Sequence, residues 1–100
     1  MYNRTTLDNG LRILTENITY SQSVSILISV GAGSRYEPPE LAGLSHFLEH
    51  LPFKGTERWP TAQLVSEAIE GVGGIMNAST DREMTVFWCK VAKPHYKQAL

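Results

Sequence analysis

The sequence predicts an α+β fold, a mostly antiparallel sheet with helices packed on one face. Three observations carry this prediction. Strand-like segments flank two helical periodicities on either side, a third helix begins at the C-terminal end, and Asn-Gly, glycine and proline turns punctuate the boundaries. The resulting order is β-β-β-α-α-β-β-α.

Tyr2 to Thr6 and Leu11 to Ile18 read as a hairpin across Leu7-Asp8-Asn9-Gly10, with Asn9-Gly10 supplying the positive φ angles of a two-residue turn. Ser23 to Val30 is rich in β-branched residues and stops at Gly31-Ala32-Gly33, as a buried strand would. Pro38-Pro39 suits a helix start, so Glu40 to Leu51 is expected to be helical, and Pro52 should end the helix near Leu51. Thr61 is a plausible N-cap for a second helix running to about Glu70. Val65, Ala68, Ile69 and Val72 then form one apolar stripe, closed by Gly71, Gly73 and Gly74.

Ile75 to Thr80 carries small and polar residues and reads as an edge strand. Met84 to Val91 is apolar on both faces and reads as a central strand covered on both sides. Asp81-Arg82-Glu83 joins the two, and Lys93 to Leu100 begins a third helix.

One hundred residues make one modest domain or a piece of a larger one. Apolar residues are 42% and charged residues 19% of the chain, enough to form a core. Nine basic and ten acidic side chains give a net charge of −1, which argues against nucleic acid and anionic membranes as partners. The single Cys89 rules out an internal disulfide and suits a reducing compartment. No apolar run approaches the roughly 18 residues of a membrane span, and the first ten residues lack a secretory h-region. With the first strand following Met1 almost at once, a bacterial cytoplasmic location is expected.

The chemistry concentrates in His46-Phe47-Leu48-Glu49-His50. On a helix His46 and His50 lie about 40° apart, one turn from each other, so both imidazoles can reach one metal ion. Glu49 falls roughly 60° to the other side of His46, on the same polar arc. Leu41, Leu44, Phe47, Leu48 and Leu51 project at roughly 100–220° from His46, so the apolar stripe is expected to anchor the helix and the His/Glu side to face outward. Ala42 and Gly43 leave room on the His/Glu side one turn earlier. Zinc prefers imidazole and carboxylate ligands and, in catalytic sites, keeps one position for water. Glu49 is placed to take a proton from that water, and His-x-x-Glu-His is the inverzincin signature. A pair of histidines on a solvated helix face is the plainer alternative.

The surrounding text is more specific. Gly43-Leu44-Ser45-His46-Phe47-Leu48-Glu49-His50, followed by Phe53-Lys54-Gly55-Thr56, closely resembles the active-site helix of the pitrilysin-type inverzincin zinc metallopeptidases. Leu7-Asp8-Asn9-Gly10-Leu11, Gly31-Ala32-Gly33-Ser34-Arg35, Gly73-Gly74-Ile75-Met76-Asn77-Ala78-Ser79-Thr80 and Glu83-Met84-Thr85 extend the resemblance over essentially the whole chain. Within that family it resembles bacterial homologues of the mitochondrial processing-peptidase β subunit. The resemblance implies Zn2+ held by His46 and His50, Glu49 as catalytic base, and a peptide-pairing edge strand around Asn77 and Ala78. It also implies peptide or presequence substrates and homo- or hetero-dimer pairing of a longer protein, while the charge balance and the lack of an apolar span argue against nucleic-acid and membrane partners.

Two departures stand out: Pro52 replaces a usual apolar residue and Phe87 a common tyrosine. The family's third ligand, a later glutamate, and its second, similar domain lie outside these residues. The chain therefore reads as the N-terminal part of one metallopeptidase domain, expected on its own to bind metal weakly and turn over negligibly. The alternative within the family is a catalytically inactive partner subunit that binds peptide or supports an active one. Such partners usually lose one of the His/Glu positions, and all three stand here.

Among other residues, Cys89 is expected to be a buried small hydrophobe, His95 a surface histidine, and Trp59 a packing residue between loop and second helix. Glu83 either supports the site or merely closes its turn.

Overall fold

The computed structural model describes residues 1–100. Strands β1 (Tyr2–Thr6) and β2 (Arg12–Glu16) form a two-stranded antiparallel ribbon with Thr6 opposite Arg12. Their connection is longer than the expected two-residue turn. The Gly10 N–H donates to the Leu7 carbonyl at 2.9 Å and the Leu7 N–H to the Leu11 carbonyl at 2.8 Å. Only Gly10 takes a positive φ, 88°; Asn9 instead accepts the Leu11 N–H through Oδ1 at 3.0 Å. A turn with one left-handed residue at its end satisfies the hairpin, so the second positive φ is not needed.

The main sheet has the order β3-β5-β4, built from β3 (Ser23–Val30), β4 (Ile75–Thr80) and β5 (Thr85–Ala92). Both pairings are antiparallel. Ile26 and Met76 lie on either side of Cys89, and Ile28 and Ala78 on either side of Phe87, so these residues share one sheet face. The edge position expected for Ile75–Thr80 and the central position expected for the last strand are both present.

Helix α1 spans Leu44–His50 and α2 Ala62–Glu70. Lys93–His95 turns into a short α3, Tyr96–Ala99. Thr61 caps α2 as its sequence position requires, its Oγ1 accepting the Leu64 N–H at 3.2 Å. Ile69 of α2 is buried against Cys89 and Val91, with Ile26, Val72, Met76 and Ala99 packed around them. Burial disfavours the charged thiolate and pushes the Cys89 thiol up. His95 is half-buried rather than on the open surface, because the turn into α3 folds back beside the sheet. Trp59 is half-buried too, with the Arg58 guanidinium 5.7 Å from its ring centre.

Two expectations about packing are corrected. Strand β5 is covered on its helix face only, and β3, expected to be buried, is exposed along most of its length, Leu27, Ile28 and Val30 included: on the uncovered face Trp88 remains 36% exposed, and Ile75 is exposed as well. An apolar sequence on both faces of a strand records what can be buried, and does not supply the layer that buries it. The second correction concerns α1. Leu44, Phe47, Leu48 and Leu51 are all exposed, Phe47 to 60%, whereas Ser45 and Glu49 are the half-buried residues of the helix. The side carrying Glu49 therefore approaches the sheet, and the apolar stripe faces away from it.

The start of α1 also differs from expectation. Pro39–Leu41 forms only a 3-10 turn, and the α-helix begins after Gly43, whose φ of 90° is left-handed. A helix cannot run through that conformation, which glycine adopts without the cost other residues carry. At the other end, Pro52 falls within a 3-10 turn at Leu51–Lys54, so the helix does stop where proline predicts.

Candidate functional site

The site is assembled from α1, the segment leading into it, and the β4–β5 hairpin. The His46 and His50 rings converge: their Nε2 atoms are 3.1 Å apart, with ring centres 4.9 Å apart and planes tilted by 56°. Two imidazole nitrogens on one tetrahedral zinc, each at about 2.0–2.1 Å, would be separated by roughly 3.3 Å. The pair therefore fits a shared cation with little movement. Open space lies at the position where a Cβ would stand on Gly43, one turn earlier. No third His, Cys, Asp or Glu joins the two imidazoles.

Glu49 faces β4. Its Oε2 accepts a hydrogen bond from the Thr80 hydroxyl at 2.5 Å, a length suited to an O–H donor on a carboxylate. Asn77 and Ala78 lie on the same strand, which is an edge of the sheet. The Asn77 Oδ1 accepts the N–H of Ala78 at 2.8 Å. The structure thus brings His46 and His50 together directly, and ties Glu49 to the strand that carries Asn77 and Ala78.

Sequence reasoning missed three features that hold this arrangement. Thr80 is the first. The second is Glu37, whose two carboxylate oxygens accept the N–H groups of Gly43 at 2.9 Å and Ser45 at 2.6 Å. Those groups are orphan donors at the start of α1, and a carboxylate complements them. The third is a seam between the Gly33–Tyr36 segment and the β4–β5 turn. Ser34 and Arg35 donate backbone N–H groups to the carbonyls of Asp81 and Arg82 at 3.2 and 2.8 Å, and the Arg35 guanidinium pairs with Glu83. Glu83 therefore fastens the turn to the loop. A Cβ on Gly33 would stand 2.5 Å from the Asp81 carbonyl oxygen, so this close approach requires glycine. Asp81, accepting the Glu83 and Met84 N–H groups, is held below the usual aspartate range by them. Glu37–Ser45 is an eight-residue span with no regular period, which is why no pattern reading finds it.

The Ser45 and then the Gly43 N–H hold the Glu37 carboxyl below its ordinary 4.5. A depressed carboxyl contributes stability that is complete above its ordinary value and is lost as pH falls through the lowered one. Amide-exchange protection at Gly43 and Ser45 is therefore expected to collapse below pH 4.5, in the acid range where Glu37 takes up its proton. Glu37→Gln should remove much of that acid-dependent step by weakening protection near neutrality. Equal protection in both proteins at every pH would dismiss the clamp.

Comparison with known proteins gives the chain a family and a shared fold. An insulinase (peptidase family M16) model matches residues 12–100. A zinc protease of Bacillus subtilis, YmxG, is 44% identical over 100 residues, covering all of this chain and 24% of its own length. A probable mitochondrial-processing peptidase β subunit of Arabidopsis thaliana is 45% identical over 96 residues, covering 96% of this chain and 18% of its own. The crystal structure of a protease from Helicobacter pylori superposes with a TM-score of 0.89 at 26% identity, over 99% of this chain and 24% of that one. The chain spans about a quarter or less of the length of these relatives. On the sequence matched and the fold shared, this chain belongs to the insulinase family of peptidases, M16.

Proposed function

We propose that this chain is the N-terminal part of a zinc endopeptidase that hydrolyses peptide bonds in extended peptides, presequences among them. The observation that carries the reading is the 3.1 Å convergence of the His46 and His50 Nε2 atoms, with Glu49 on the adjoining side of the same helix turn. His46 and His50 would hold the ion. Zinc bound there would supply Lewis acidity and make water a stronger nucleophile near neutral pH.

The chain's own residues do the rest. Glu49 has one carboxylate oxygen engaged by Thr80, which leaves Oε1 to accept the proton of the attacking water. An extended peptide adding to the outer edge of β4 beside Asn77 and Ala78 would gain main-chain hydrogen bonds with little demand on side-chain identity. The name of the Arabidopsis relative, a β subunit, supports pairing of the whole protein with a second subunit. No helix is long and apolar enough to cross a membrane.

The test is hydrolysis of an internally quenched extended peptide by the full-length protein that carries this chain. Cleavage should cease on chelation and return with zinc. A zinc-loaded protein that binds such peptides without cutting them would instead establish the inactive partner subunit.

A further inference from the structure

We infer that Thr80 is the positioning residue for Glu49, and that through it the base is registered to the strand on which the peptide would lie. The inference rests on the reading of Glu49 as base given above. Glutamate has several rotatable bonds, and a base must be held within hydrogen-bond reach of the proton it removes. The Thr80 hydroxyl supplies the restraint by donating to Oε2 of Glu49 across 31 residues of sequence.

The donor is itself rigid. Threonine is β-branched and stiff at χ1, and Thr80 is the last residue of β4, directly opposite Thr85 of β5. Thr85 is buried and its hydroxyl donates to the Ala32 carbonyl at 2.8 Å. Just beyond, the Asp81 N–H donates to the Met84 carbonyl at 3.0 Å and closes the hairpin. Thr80 lies two residues beyond Ala78 along the strand, roughly 7 Å. A peptide paired at Ala78 and a carboxylate fixed at Thr80 are then referred to one backbone. Misalignment of base and scissile bond would require β4 itself to deform.

The experiment uses the full-length enzyme with Thr80→Val, which keeps the β-branched shape and removes the hydroxyl, Thr80→Ser, which keeps the hydroxyl, and Glu49→Gln. Thr80→Val should lower kcat by roughly 10- to 100-fold, the range seen when the hydrogen-bonded supporter of a site group is removed, with KM and zinc content unchanged. Thr80→Ser should stay within a few-fold of the parent. In a Glu49→Gln background Thr80→Val should cost nothing further, since the carboxylate it serves is gone. A crystal structure of the metal-free Thr80→Val protein should show Glu49 displaced, and that of Thr80→Ser should not. Unchanged kcat in Thr80→Val, a loss confined to KM, a serine variant as impaired as the valine one, or additive losses in the double variant would each overturn the inference. Undiminished hydrolysis by Glu49→Gln would instead overturn the base assignment on which it rests.

Discussion

Replacing Glu49 by glutamine in the full-length protein is expected to leave zinc bound and to cut peptide hydrolysis by about 10²- to 10⁴-fold, the usual contribution of a positioned general base. Glutamine has the same shape and can still offer an oxygen to the Thr80 hydroxyl, so the helix and its neighbours should not move. What it loses is the ability to take a proton at the other oxygen. Zinc content and thermal midpoint serve as controls against misfolding. Hydrolysis persisting within about tenfold of the parent would remove Glu49 from the base role.

Substituting either histidine should act one step earlier. His46→Ala and His50→Ala are each expected to weaken zinc binding by at least about 100-fold, a loss that even a hydrogen-bonded supporter of a metal ligand can produce. Hydrolysis should vanish with the metal. The convergence of the two Nε2 atoms predicts similar effects for the two variants, because an ion shared between them would lose a bond whichever imidazole is removed. Zinc titration of the metal-free proteins by calorimetry measures the affinities directly. One variant retaining full affinity would show that the histidines do not share an ion.

Local chemistry explains what could be read ahead of the structure. The Thr61 cap, the apolar stripe Val65–Ala68–Ile69–Val72 and the proline stop at Pro52 are short-range devices, and each stands where its residues put it. The four-residue spacing of His46 and His50 is equally local: any α-helix through it places the two rings on one side. The start of α1 is not legible in the sequence, because it combines a left-handed Gly43 with a contact to Glu37, which reaches the helix from outside it. The hairpin turn is one residue longer than Asn9-Gly10 predicts, for a related reason. Asn9 could satisfy Leu11 with its side chain and so had no need of a positive φ.

By itself, the sequence determined the α+β order of elements, the edge position of Ile75–Thr80, and the placement of two imidazoles one helical turn apart. Periodicity measures angles around a single helix or across a single strand, and those angles do not depend on neighbours. Only the tertiary structure decided which side of α1 meets the sheet. It turned Ser45 and Glu49 inward and left Leu44, Phe47 and Leu48 exposed, against the expectation from hydrophobicity. The physical reason is that contacts between residues far apart in sequence choose a helix's orientation. Glu37 fastens the start of this helix and the Thr80 hydroxyl holds its carboxylate, and neither contact has a period to read.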